Sequence, residues 1–170
     1  MDARKYSSLV NKATDESLLG EDWDTNSLIW DLLKKNPDEA APAILTSITE
    51  RLQNKNPKIQ QLALSVSLRW QFYNSKLLDS CVKNTSEFFH RLLSNDKYLN
   101  HVIKLAQTGD PAVKKLAQEI IQGWGNDLSV PKFLTTAKAL SSGTLKGITS
   151  KVMNVNDWIY FSRWILQTSY

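Results

Sequence analysis

Apolar positions recur every three or four residues along almost the whole chain, and that 3.6-residue period predicts helices. Tyr6 to Ala13 has Leu9, Val10 and Ala13 at this spacing. Residues 22–35 carry a stripe of Leu28, Ile29, Leu32 and Leu33 behind an entry tryptophan, Trp23. Glu39 to Asn54 sets Ala40, Ala43, Ile44, Ile48 and Leu52 on one side and Glu50, Arg51 and Asn54 on a wet one. From Pro57 the pattern runs through Ile59, Leu62, Ala63 and Val66 to Val82 without Gly or Pro, enough for roughly 40 Å of helix. Thr85 to Leu93 and Tyr98 to Ala106 follow, the latter closed by Gly109. Pro111 opens the most regular stripe, Val113, Leu116, Ala117, Ile120, Ile121 and Trp124, which Gly125 is expected to stop. A last helix over 132–146 would bury Phe133, Leu134, Ala137 and Leu140. No segment alternates with the two-residue period of a strand, so the predicted fold class is all-α.

The punctuation agrees with this reading. Asn36-Pro37, Asn56-Pro57 and Asp110-Pro111 each place a capping side chain before a proline that has no N–H to leave unpaired at the first helical position. A chain of 170 residues, 42% hydrophobic and 22% charged, can bury a core and is not of disordered composition. Its 21 Lys+Arg against 17 Asp+Glu give +4, with the basic residues scattered; a nucleic-acid binder would gather them into a stripe, so nucleic acid is not an expected partner. One cysteine, Cys81, rules out an internal disulfide, and its apolar neighbours Leu77, Leu78 and Val82 favour a buried structural thiol in a reducing compartment. The N-terminal MDARKYSSLV lacks the apolar stretch of a signal peptide, and no run is long enough to span a bilayer. These features predict a cytoplasmic protein.

Candidate chemistry is thin. His90 and His101 are spaced for neither a metal site nor a catalytic pair, no Gly-rich phosphate loop exists, and no base is arranged beside a nucleophile. The expectation is a binding protein rather than an enzyme, with no metal and no cofactor. A helical-repeat scaffold that holds a short peptide is the competing binding class.

Several segments in order, LVNKATDESLLGEDW, WDLLKKNPDEAAPAILTSITERLQNKNPKIQQLAL, LLDSCVKNTSEFFHRLLSNDKYLNHVIKLAQ and DPAVKKLAQEIIQGW, resemble a VHS domain, a module of endosomal sorting adaptors. The resemblance covers residues 5–148. It implies a right-handed superhelix of about eight helices stacked as antiparallel pairs. It also implies weak binding of ubiquitin on cargo, peripheral attachment to endosomal or Golgi membranes and, in some members, recognition of phosphoinositides or of acidic dileucine sorting peptides. Two stretches depart from the pattern. VSLRWQFYNSK, residues 66–76, adds eleven residues, close to three helical turns, and reads as an in-phase helical extension, an extruded loop or a translated intron. Residues 149–170 form a hydrophobic, aromatic-rich extension that could pack on the domain, lie in a membrane interface or reflect a faulty gene model.

Ubiquitin presents a shallow apolar patch ringed by basic residues, so a receptor needs an exposed apolar anchor beside acceptors. Trp23, among Glu21, Asp22 and Asp24, has that context; the alternative is that it seals the seam between the first two helices. The resemblance implies that Trp23 and the residue one turn on form the contact, and that residue is Ser27 where the family has an aliphatic side chain. Trp30, beside Ile29 and Leu33, is read as core. Lys104, Lys114 and Lys115 could face inositol headgroups or acidic peptides, or be the solvated side of their helices. A dileucine groove would lie between residues 98–106 and 132–146, with Lys138 or Lys146 as carboxylate partners.

Overall fold

A computed structural model of the chain describes residues 3–64, 81–82, 87–128 and 130–145. Within them lie eight helices: α1 (Ala3–Ala13), α2 (Trp23–Lys35), α3 (Pro37–Leu52), α4 (Pro57–Leu64), α5 (Glu87–Leu93), α6 (Asp96–Thr108), α7 (Pro111–Asp127) and α8 (Pro131–Ser141). No strand occurs among the described residues, and the fold is all-α as the period predicted. The 66–76 insert, the 149–170 extension and Lys146 lie outside the described residues.

The helices pack largely in sequence order. α1 and α2 lie on α3; α3 touches α4, α5 and α6; α4 reaches α7; and α6, α7 and α8 stack as successive neighbours. One continuous core runs through the array, from Tyr6 and Val10 of α1, through Ile29, Ile44, Ile48, Leu99, Val102 and Ile103, to Trp124 of α7 and Phe133 of α8. Cys81 is buried in it, and the apolar surroundings push its thiol pKa far up, as a structural role requires. His90 contributes a ring nitrogen 2.6 Å from the carbonyl oxygen of Val82. Among the described residues no helix is long and apolar enough to cross a membrane.

The helix starts divide. Asn56 Oδ1 accepts from the N–H of Lys58 at 3.0 Å and Asp110 Oδ1 from that of Ala112 at 3.0 Å. Asn36 makes no such bond. Its backbone is already committed as the last turn of α2, where its N–H donates to Leu32 O at 2.9 Å, so the α2–α3 corner is made by main chain and Pro37 alone.

Four other expectations fail. Gly125 does not stop α7; it is buried inside the helix, which continues to Asp127. A Cβ on Gly125 would lie 2.4 Å from Ala137 Cβ and 3.2 Å from Phe133 O, so this glycine is the point where α8 approaches the α7 backbone. The last helix ends at Ser141 rather than 146, because Gly143 takes φ +71° and Thr144 N–H returns to Ala139 O at 2.9 Å, a left-handed terminus. Arg51 is not on a wet face. Its Nε donates to Thr14 Oγ1 at 2.7 Å and its Nη2 to Thr14 O at 2.6 Å, closing the end of α1 against α3. Finally, Leu28 and Leu134 are not core residues: they are 53% and 41% exposed. The buried arc of α2 is Thr25, Asn26, Ile29 and Leu33, turned about 45° on the helical wheel from the all-apolar stripe.

Candidate protein-binding face on the second helix

The loop that leads into α2 is fixed by polar contacts from two sides. Asn56 Nδ2 donates to Glu16 Oε2 at 2.7 Å, and Arg51 holds the Thr14 carbonyl. Asp15 Oδ1 accepts from the N–H and Oγ of Ser17 at 2.8 and 2.5 Å, which lowers its pKa. At the helix entry Asp22 is the N-cap: Oδ1 accepts from Thr25 N–H at 3.0 Å and Oδ2 from Thr25 Oγ1 at 2.7 Å, with Lys12 Nζ 3.7 Å away. Asp22 is therefore spent on structure rather than displayed around Trp23. Asp24 is exposed and Glu21 half-buried.

The Thr25 hydrogen bonds, chiefly, and then Lys12 hold Asp22 ionised and its pKa below the ordinary carboxylate value. Because the folded state favours the charged form, its contribution is present above the unfolded pKa of about 3.9 and is lost as pH falls through the depressed folded value. Asp22→Asn keeps an acceptor for Thr25 N–H. Urea midpoints at pH 7 and pH 3 are expected to show the loss at neutral pH, where the charge acts, and a shallower acid sensitivity than in the parent.

Trp23 occupies the first position of α2 and is 40% exposed, its ring edge-on to Trp30 with centroids 6.5 Å apart at 66°. Trp30 is half-buried against the core and backs the indole from seven residues on. Ser27 is exposed between them in sequence. Among the described residues four large hydrophobic side chains are exposed, and three of them, Leu19, Trp23 and Leu28, fall within residues 19–28. The acids Asp24 and Asp31 share the exposed side of α2. Sequence reasoning missed Leu28 because it counted every leucine of the stripe as core. No local signal marks it, because which arc of α2 is sealed depends on the helices packed against it.

Lys104 of α6, Lys114 and Lys115 of α7 and Lys138 of α8 are all exposed, but they lie on three helices, and no contact among the described residues joins them into one site. Lys114 and Lys115 sit in the first turns of α7, opposite its buried Val113, Leu116 and Ala117. Lys104 lies one turn from His101, whose pKa is lowered by burial first and by that lysine second. On α8, exposed Leu134 is one turn from Lys138, and Lys132 forms an ion pair with Asp96 of α6. A shallow, open groove between α1 and α3 has Arg4, Ser7, Pro42, Thr46, Ser47 and Glu50 on its walls. The described residues hold no group of three or more potential metal ligands.

This fold has counterparts. The chain superposes on the crystal structure of the tandem VHS and FYVE domains of Hrs with a TM-score of 0.67 at 17% identity, over 81% of this chain and 60% of that one, a likeness of fold. In sequence it is 29% identical to TOM1-like protein 1 of Arabidopsis thaliana over 79% of its length and 31% of that protein's. It is 30% identical to the class E vacuolar protein-sorting machinery protein HSE1 of Cryptococcus neoformans over 74% of its length and 18% of that protein's. The chain thus spans less than a third of these relatives. The family model for the VHS domain matches residues 1–142. With that span matched and the helices stacked as in a solved member, the chain belongs to the VHS domain family.

Proposed function

We propose that residues 5–148 act as a non-catalytic adaptor module in endosomal protein sorting, holding ubiquitin on cargo weakly through the outer face of α2, with residues 149–170 as an appended hydrophobic extension. The observation that carries this reading is the gathering of three of the four exposed large hydrophobic residues at positions 19–28, beside the exposed acids Asp24 and Asp31. Exposed apolar side chains interleaved with acids on α2 suit a partner whose apolar patch is ringed by bases. A relative that is a class E vacuolar protein-sorting machinery protein, and another in mouse, the Target of Myb1 membrane trafficking protein, support a place in sorting. Peripheral association with endosomal or Golgi membranes belongs to the same reading.

Trp23→Ala removes an indole that lies edge-on to Trp30 and stands outside the buried core. Titration of isotope-labelled ubiquitin is expected to give resonance shifts with the parent and none with the variant, while circular dichroism stays unchanged. Loss of helicity in the variant would show instead that the indole holds the α1–α2 seam.

A second reading, recognition of acidic dileucine peptides at α6 and α8, draws on the exposed Leu134 one turn from Lys138. Phosphoinositide contact through Lys104, Lys114 and Lys115 draws only on their exposure. Liposome flotation with and without phosphoinositide tests it.

A further inference from the structure

Position 27 carries a serine where the ubiquitin reading calls for an aliphatic contact, yet the next residue, Leu28, stands in water at 53% exposure, more open than Trp23 itself. We infer that Leu28, flanked by Asp24 and Asp31, is the second anchor for ubiquitin on this chain, so that the footprint extends around α2 from Trp23 past Ser27 to Leu28. The inference rests on the ubiquitin reading and adds which side of α2 the partner grips.

The geometry comes from the helix. At 100° per residue Ser27 lies about 40° around α2 from Trp23, and Leu28 about 140° around and roughly 7.5 Å along the axis. Asp24 precedes Leu28 by four residues and Asp31 follows it by three, the two spacings that make side chains neighbours on a helix surface. Both acids are exposed, and no ion pair among the described residues engages either. A leucine between two uncommitted carboxylates is the local complement of an apolar patch ringed by bases.

Leu28 is also dispensable to the fold. The buried arc of α2 is Thr25, Asn26, Ile29 and Leu33, and Leu28 stands outside it. This placement costs α2 an apolar contact with its neighbours and gives the outer face an anchor that Ser27 cannot provide. Trp23 remains the first anchor, braced by Trp30.

The test titrates labelled ubiquitin with the full chain, with Leu28→Ala and with the double variant Asp24→Asn/Asp31→Asn, at low and high salt, with circular dichroism as the check on folding. Leu28→Ala is expected to weaken binding about tenfold, the scale of losing one buried leucine side chain. The double variant is expected to flatten the salt dependence. Binding of Leu28→Ala equal to the parent, while Trp23→Ala fails to bind, would overturn the placement of the second anchor and leave the ubiquitin reading standing. Absence of any shift with the parent at millimolar ubiquitin would overturn both.

Discussion

Trp124→Ala is expected to be the most destabilising truncation in the described core, at about 3–5 kcal/mol. The indole is 1% exposed, is the largest fully buried side chain among the described residues, and packs on Phe133 with ring centroids 5.3 Å apart. It ties α7 to α8, which among the described residues makes its main helix contacts with α7. An ordinary domain is stable by only about 5–15 kcal/mol, so the variant should unfold at a much lower urea midpoint. Trp124→Phe, which keeps an aromatic contact with Phe133, should recover part of the difference. A midpoint within experimental error of the parent would mean that α8 is not held through this contact.

Gly125→Val is expected to be comparably damaging for the opposite reason. Helix propensity alone favours replacing a mid-helix glycine, by roughly 0.5–1 kcal/mol for alanine. Here the first added carbon already lies 2.4 Å from Ala137 Cβ, a separation that backbone or side chain must relieve by moving α8 away from α7. Overpacking of this kind costs about 1–3 kcal/mol, and a branched side chain at so short a distance belongs at the upper end. The prediction has a built-in check. Ala137→Gly removes the struck atom, so Gly125→Ala combined with Ala137→Gly should be less destabilised than the sum of the two single variants, and thermal melts of the four proteins measure the coupling. Additivity would place the clash elsewhere, for example on Phe133 O at 3.2 Å.

Much of this protein was legible as text. The 3.6-residue period and the Asx-Pro starts determined that the chain is helical and, within a few residues, where helices begin, because caps and prolines act through local backbone geometry that travels with the sequence. The ordered motifs from ATDESLLGEDW to IIQGW were enough to indicate the family, and the acids around residue 23 pointed to α2 as the face to inspect. What could not be read was orientation. A stripe of four apolar residues states that a helix has a buried side, but which 100° of arc is sealed depends on neighbours distant in sequence, and a rotation of about 45° moved Leu28 out and Thr25 in.

The same limit explains the other surprises. Gly125 has the local appearance of a stop and becomes a contact point only because α8 comes within reach of it, and Arg51 looks solvated until the end of α1 presents Thr14 to it across 37 positions of sequence. Likewise Asp22 counts among the acids ringing Trp23 in the sequence and is withdrawn by the Thr25 cap in the fold. The sequence by itself determined the helices, their order and their kinship, since those depend on interactions between residues a few positions apart. Only the tertiary structure decided which faces remain in water, since burial is a property of pairs of elements and a binding surface is what packing leaves uncovered.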